Sequence, residues 1–164
     1  METTEIAFKK LGFNSEESNR VVDQLNELLC NLQVHYQKLR NYHWNVTGPD
    51  FFDVHEQFEQ EYEEVKLEID EIAERIRVFG KTPISTMREY LAHSEIRETG
   101  TDLSAHEMVS EIIRDFEILL THMMDITEVA QEIGDLSTDD MIKGFMHRKE
   151  KRHWMLTAFN KSEQ

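Results

Sequence analysis

Cysteine and proline are almost missing from this sequence: 164 residues hold one Cys and two Pro. A lone cysteine excludes an intrachain disulfide. Cys30 lies inside an apolar helical pattern, so the expectation is a buried spectator thiol in a reducing cytoplasm. Pro49 and Pro83 each sit beside a turn signal, which leaves four long segments with nothing to break a helix. No run approaches the ~20 apolar residues that a membrane span needs. The opening METTEIAFKKLGF has no apolar stretch long enough for a signal peptide. Positive charge is scarce as well. Eighteen Lys and Arg face 33 Asp and Glu, a formal net charge of −15. That balance argues against phosphate-driven binding of nucleic acid and suits a protein that attracts cations. No segment alternates with period two, so no sheet is expected.

What the chain does have is helical periodicity. Apolar residues make up 39% and are spread along the whole length, enough for one domain with a full core. The domain is expected to span 1–164, with tails at 1–14 and 160–164. A first segment starts near Ser15, where SEES reads as an N-cap with acids in the first turn. It carries Val21, Leu25, Leu28, Leu32 and Leu39 and runs to about Trp44, where NVTGPDF breaks it. A second runs from about Asp50 to the natural stop at Gly80. TMREYLAH then reads as a short helix between loops. The third starts at Ser104, with Glu107 completing a capping box, and runs to about Ile133. The fourth runs from about Ser137 to about Phe159. Its basic cluster, Lys143, His147, Arg148, Lys149, Lys151, Arg152 and His153, spreads around the axis and reads as a solvated helix. Two short links and one long middle link predict an all-α four-helix bundle with one crossover, the connection plan of ferritin-like bundles.

The second segment holds the candidate site. On a wheel of ~100° per residue, Phe58, Tyr62, Val65, Ile69, Ile72 and Ile76 form one core stripe. His55, Glu59, Asp70 and Glu74 share one flank beside it. His55/Glu59 and Asp70/Glu74 are i, i+4 pairs, a spacing that lets two side chains hold one ion, and imidazole with carboxylates suits iron, zinc or manganese. His55 and Glu74 are nevertheless separated by roughly 28 Å of helix. Two antiparallel copies of the segment, paired about a two-fold axis near Val65, would bring 55/59 of one chain against 70/74 of the other. His43, at the end of the first segment, would approach His55. Acids at this spacing also occur by chance in so acidic a helix, and a lone histidine on a core edge is more often structural. Glu150–His153 is the one Glu-x-x-His match, so the paired motif of intrachain di-iron bundles is not encoded.

YHWNVTGPDFFDVHEQFEQEYEE, followed by DEIAER, strongly resembles the signature of the DNA-protection-during-starvation (Dps) miniferritins. That signature is a His-Trp pair, a Gly-containing turn, an aromatic, His, an acid four later, and Asp-x-x-x-Glu in an AER context. The spacings here are 12, 4, 11 and 4, and KTP…EYLAH and WMLTAF extend the likeness over most of the chain. The resemblance implies a hollow dodecamer built from two-fold dimers that share metal sites. By position, His43, His55, Asp70 and Glu74 match the family's ferroxidase ligands, and Glu59 falls where the family has an acid, often Asp. Tyr42 and Trp44 would flank the site and quench oxidising equivalents, with helix-end packing as the other role. Asp135, Asp139 and Asp140 in GDLSTDD become pore candidates, solvated cap acids being the alternative, and Glu56 a nucleation candidate. The implied chemistry is oxidation of Fe(II) by hydrogen peroxide and storage of ferric oxide. Members that bind DNA directly usually carry a Lys/Arg-rich tail. Here Lys9 and Lys10 face Glu2 and Glu5, and the terminal NKSEQ has one lysine and one acid, so strong DNA binding is not expected. The alternatives are a DNA-compacting structural protein with incidental iron binding, or a helical interaction protein without metal.

Overall fold

The structure, a computed structural model, describes residues 11–161. Lys9, Lys10 and most of both expected tails lie outside the described residues. Four long helices and one short one follow in order: α1 (Ser15–Asn45), α2 (Phe51–Val78), α3 (Met87–His93), α4 (Ala105–Ile133) and α5 (Leu136–Asn160). No β-strand occurs among the described residues. α1 packs on α2, α4 packs on α5, and α1 joins the two pairs by packing on α4. The chain is all-α with the predicted links, short before α2 and α5 and long around α3.

The ends are set by local chemistry. α1 is capped by Asn14 rather than Ser15: the Asn14 side chain accepts from the Glu17 N–H, and the Glu17 carboxylate accepts from the Asn14 N–H, both at 2.9 Å. A capping box needs an acid three residues on, which Asn14 has in Glu17, whereas Ser15 would meet Ser18. α4 has the expected box between Ser104 and Glu107. It ends at Gly134, whose φ of +74° is left-handed. A Cβ there would touch nothing within 4 Å, so Gly134→Ala should cost about 1 kcal/mol from conformation alone. Chemical unfolding at neutral pH checks this. The crossover is tied to α1 by Asn31, whose Oδ1 accepts from the Glu95 and Ile96 N–H groups at 2.9 and 3.1 Å.

The core departs from the sequence reading in one respect. Leu25, Leu32, Phe58, Ile72, Phe116 and Met123 fill it as expected, and Cys30 is fully buried, with burial first and then Glu27 and Glu89 lifting its thiol to about 11. Ionised groups lie among them. Lys149, part of the basic cluster expected to be solvated, is 1% exposed, and Glu61 and Glu68 are 2% and 1% exposed. Lys149 Nζ donates to Glu61 Oε1 at 2.7 Å, lies 3.2 Å from Glu68 Oε2, and sits 5.3 Å from the centre of the Phe116 ring. His35 Nδ1 is 2.9 Å from Asp115 Oδ2, and Lys38 Nζ donates to Asp115 Oδ1 at 2.9 Å. The solvated reading of this cluster fails at Lys149, because ammonium can occupy a core position when carboxylates from a facing helix surround it.

Candidate metal centre

α1 ends and α2 begins around the five-residue link 46–50, and this turn sets His43 against His55. Their rings stack with centroids 3.7 Å apart at 17°. His43 Nδ1 donates to the His55 carbonyl at 2.8 Å, and His55 Nδ1 donates to the His43 carbonyl at 2.6 Å. The His43 carbonyl is in the last turn of α1, where intrahelical donors run out, so the second bond also caps the helix. A carbonyl can only accept. Both Nδ1 atoms therefore carry the proton, and in the neutral rings both Nε2 lone pairs are left available. A backbone acceptor on one ring nitrogen is the usual way a metal-binding imidazole is held in tautomer and direction. Phe51 stacks on His55 at 4.8 Å and Tyr62 meets His43 edge-on at 5.3 Å, which closes the remaining faces.

Glu59, Asp70 and Glu74 are exposed on α2. Among the described residues none of the three has a hydrogen bond or ion pair within the chain. One chain also offers no group of three or more His, Cys, Asp or Glu side chains placed to hold a metal, among the described residues. The structure thus brings His43 and His55 together and leaves Asp70 and Glu74 at the far end of the helix, as the length of α2 requires. Exposed Phe52 and Leu67 lie on this side of α2.

The other candidates separate clearly. Tyr42 is fully buried, with its hydroxyl 2.7 Å from Thr99 Oγ1 and its ring 5.7 Å from Phe58; burial lifts its pKa to about 12. Trp44 is 60% exposed, with the Arg40 guanidinium 5.4 Å from its ring. Asp135 is 1% exposed: it caps α5 through the Thr138 N–H and pairs with Arg75 at 2.8 Å. Asp139 bonds Lys143 at 2.6 Å, which holds its carboxyl below the ordinary value. Asp140 is the exposed member of that trio, and Glu56 is exposed and bonded to Gln60 at 3.2 Å.

The Ferritin-like domain family matches residues 22–163. DNA protection during starvation protein 2 of Bacillus anthracis is 42% identical over 142 residues, which is 87% of this chain and 97% of that protein. General stress protein 20U of Bacillus subtilis is 37% identical over 87% of this chain and 98% of its own. A Dps protein of Vibrio cholerae O1, described as a member of a broad superfamily of ferritin-like diiron-carboxylate proteins, superposes with a TM-score of 0.88 at 36% identity. That match covers 91% of this chain and 94% of the other.

Proposed function

We propose that this chain, which belongs to the ferritin-like family and within it to the Dps proteins, oxidises Fe(II) with hydrogen peroxide and stores the ferric product in a protein cage. The observation that carries the reading is the stacked His43–His55 pair, with each Nδ1 spent on the other's carbonyl and each Nε2 left to a ligand. His43 and His55 of one subunit, with Asp70 and Glu74 of a two-fold partner, supply nitrogen and oxygen donors to the substrate iron. Glu59 stands one turn from His55 as a further donor. Such a set binds Fe(II) without the thiolates that would hold it tightly, so Fe(III) can leave. Two Fe(II) each lose one electron. Peroxide takes both, its O–O bond breaks, and two hydroxides result. Removing Fe(II) and peroxide together denies both to hydroxyl-radical chemistry.

The net charge of −15 draws cations to the assembly. Asp140 serves as a pore acid and Glu56 as a nucleation acid, whereas Asp135 and Asp139 are already committed within the chain. Trp44, exposed beside His43, is the better placed redox aromatic than the buried Tyr42. The protein acts in the cytoplasm as one ferritin-like domain, in a dodecamer built from two-fold dimers. No helix among the described residues is long and apolar enough to cross a membrane. Anaerobic Fe(II) titration followed by peroxide, with the native mass measured alongside, tests the reading. Saturable oxidation and a mass of twelve chains are expected; oxidation no faster than in protein-free buffer sinks it.

A relative's name speaks of DNA protection, which favours a second reading as a DNA-compacting protein. Charge opposes it, because phosphate contacts need clustered Lys and Arg. A gel shift at physiological salt should show no compaction of plasmid DNA, and a shift at sub-micromolar protein would reverse this choice.

A further inference from the structure

We propose that Tyr62 is a reserve electron donor to the metal centre, refilled through Tyr36 and Arg40 from the exposed Trp44. The inference rests on the proposed iron oxidation. That reaction spends two Fe(II) on each peroxide, so a site holding a single Fe(II) is an electron short. The rings beside the site offer a route for the missing electron. Tyr62 meets the His43 ring edge-on, with centroids 5.3 Å apart at 86°. Tyr36 meets Tyr62 edge-on in turn, at 6.1 Å and 82°. The Arg40 guanidinium carbon lies 4.7 Å from the Tyr36 ring centre and 5.4 Å from that of Trp44, which is 60% exposed. Tyr36, Arg40 and Trp44 follow one another at i, i+4 spacing on α1, so one helix face carries the outer part of the route. Trp44 comes next to His43 in the sequence, yet among the described residues its ring touches neither histidine ring.

Edge-on rings also pack well, and packing alone would account for the contacts. The hydroxyls carry the argument further. Among the described residues neither the Tyr36 nor the Tyr62 hydroxyl has a hydrogen-bond partner within the chain. Both phenols can therefore give up a proton together with an electron. Tyr42 differs, because its hydroxyl is bonded to Thr99 and its ring is fully buried. In the step that lacks a second Fe(II), the Fe(II) and Tyr62 each give one electron to peroxide, and the O–O bond breaks. The phenolic proton joins one of the two hydroxides. The products are Fe(III), one hydroxide, one water and a neutral Tyr62 radical, and no hydroxyl radical is released. Tyr36 and then Trp44 refill the hole, each donor losing a proton to water and each acceptor regaining one.

The test loads full-length protein anaerobically with one Fe(II) per site, mixes it with excess peroxide and freeze-quenches it for electron paramagnetic resonance. Fe(III) formation is read by absorbance in parallel. A tyrosyl signal that narrows with ring-deuterated tyrosine is expected. Tyr62→Phe keeps the ring and its packing and should lose that signal. Tyr42→Phe should keep it, and Trp44→Phe should prolong it. A signal that survives Tyr62→Phe, or that is lost in Tyr42→Phe alone, overturns the proposal. Fe(III) formation without any protein radical overturns it too, while leaving iron oxidation standing. No Fe(III) above the protein-free control removes both readings, so their failures are distinguishable.

Discussion

The Asp70→Ala/Glu74→Ala protein is expected to oxidise Fe(II) with peroxide at least about 100-fold more slowly than the unmodified protein. Loss of groups that merely orient metal ligands costs 10- to 100-fold, and these carboxylates are proposed to touch the iron. Fold should survive, because both residues are exposed and changes at such positions usually stay within about 0.5 kcal/mol. An unchanged helix signal with lost oxidation would therefore be a site effect. An unchanged rate would remove Asp70 and Glu74 from the site. A mixing experiment then tells a shared site from an intrachain one. Chains carrying His43→Ala/His55→Ala are refolded with chains carrying Asp70→Ala/Glu74→Ala. Each protein alone is expected to oxidise Fe(II) only slowly. In a two-fold heterodimer one site loses both halves and the other keeps both, because its histidines and its acids come from the unaltered parts of opposite chains. An equal random mixture should recover roughly a quarter of the wild-type sites. An intrachain site would recover none.

Most of the architecture is written in local signals, and the two departures from it have separate causes. Ser104 with Glu107, the Gly80 stop and the long middle link located helices to within a residue or two. The same rule puts the α1 cap at Asn14 rather than Ser15, because only Asn14 has an acid, Glu17, three residues on. The pairing of His43 with His55 followed from twelve residues and a turn between them. The reciprocal Nδ1 bonds did not, because they depend on the α1–α2 approach. The buried ions escape any reading that equates charge with solvent. Spacing argued otherwise. On α1, His35 fills the place left between Leu32 and Leu39, and on α5, Lys149 sits between Phe145 and Leu156 in a three-four series. On α2, Glu61 and Glu68 lie beside the core stripe on the flank opposite His55. An ionisable residue on an apolar stripe, facing opposite charge on another stripe, is a signal of an interior ion pair.

Glu61→Gln should consequently destabilise the folded chain by about 3–5 kcal/mol, the usual cost of breaking a buried pair from one side. For a chain of this size that lowers the unfolding midpoint by roughly 6–20 °C. The substitution keeps the shape and removes the charge that Lys149 and Arg152 face, at 2.7 and 3.4 Å. Burial alone would raise the Glu61 carboxyl; Lys149, and then His35, instead pull it from 4.5 to about 2. Because the folded value lies below the ordinary one, the Glu61 charge stabilises the fold in full above about pH 4.5 and loses that effect as pH falls toward 2. Glu68 moves the other way: burial raises it and repulsion from the Glu61 charge adds to that, against the pull of Lys149 and Arg148. Urea unfolding of wild type and variant should therefore show a wide gap at pH 7 that narrows steadily below pH 4.5. Equal stability at pH 7 would mean that the pair carries no net energy. Lys149→Met, made in the Glu61→Gln background, should cost clearly less than it does in the wild type, because the interaction it removes is already broken.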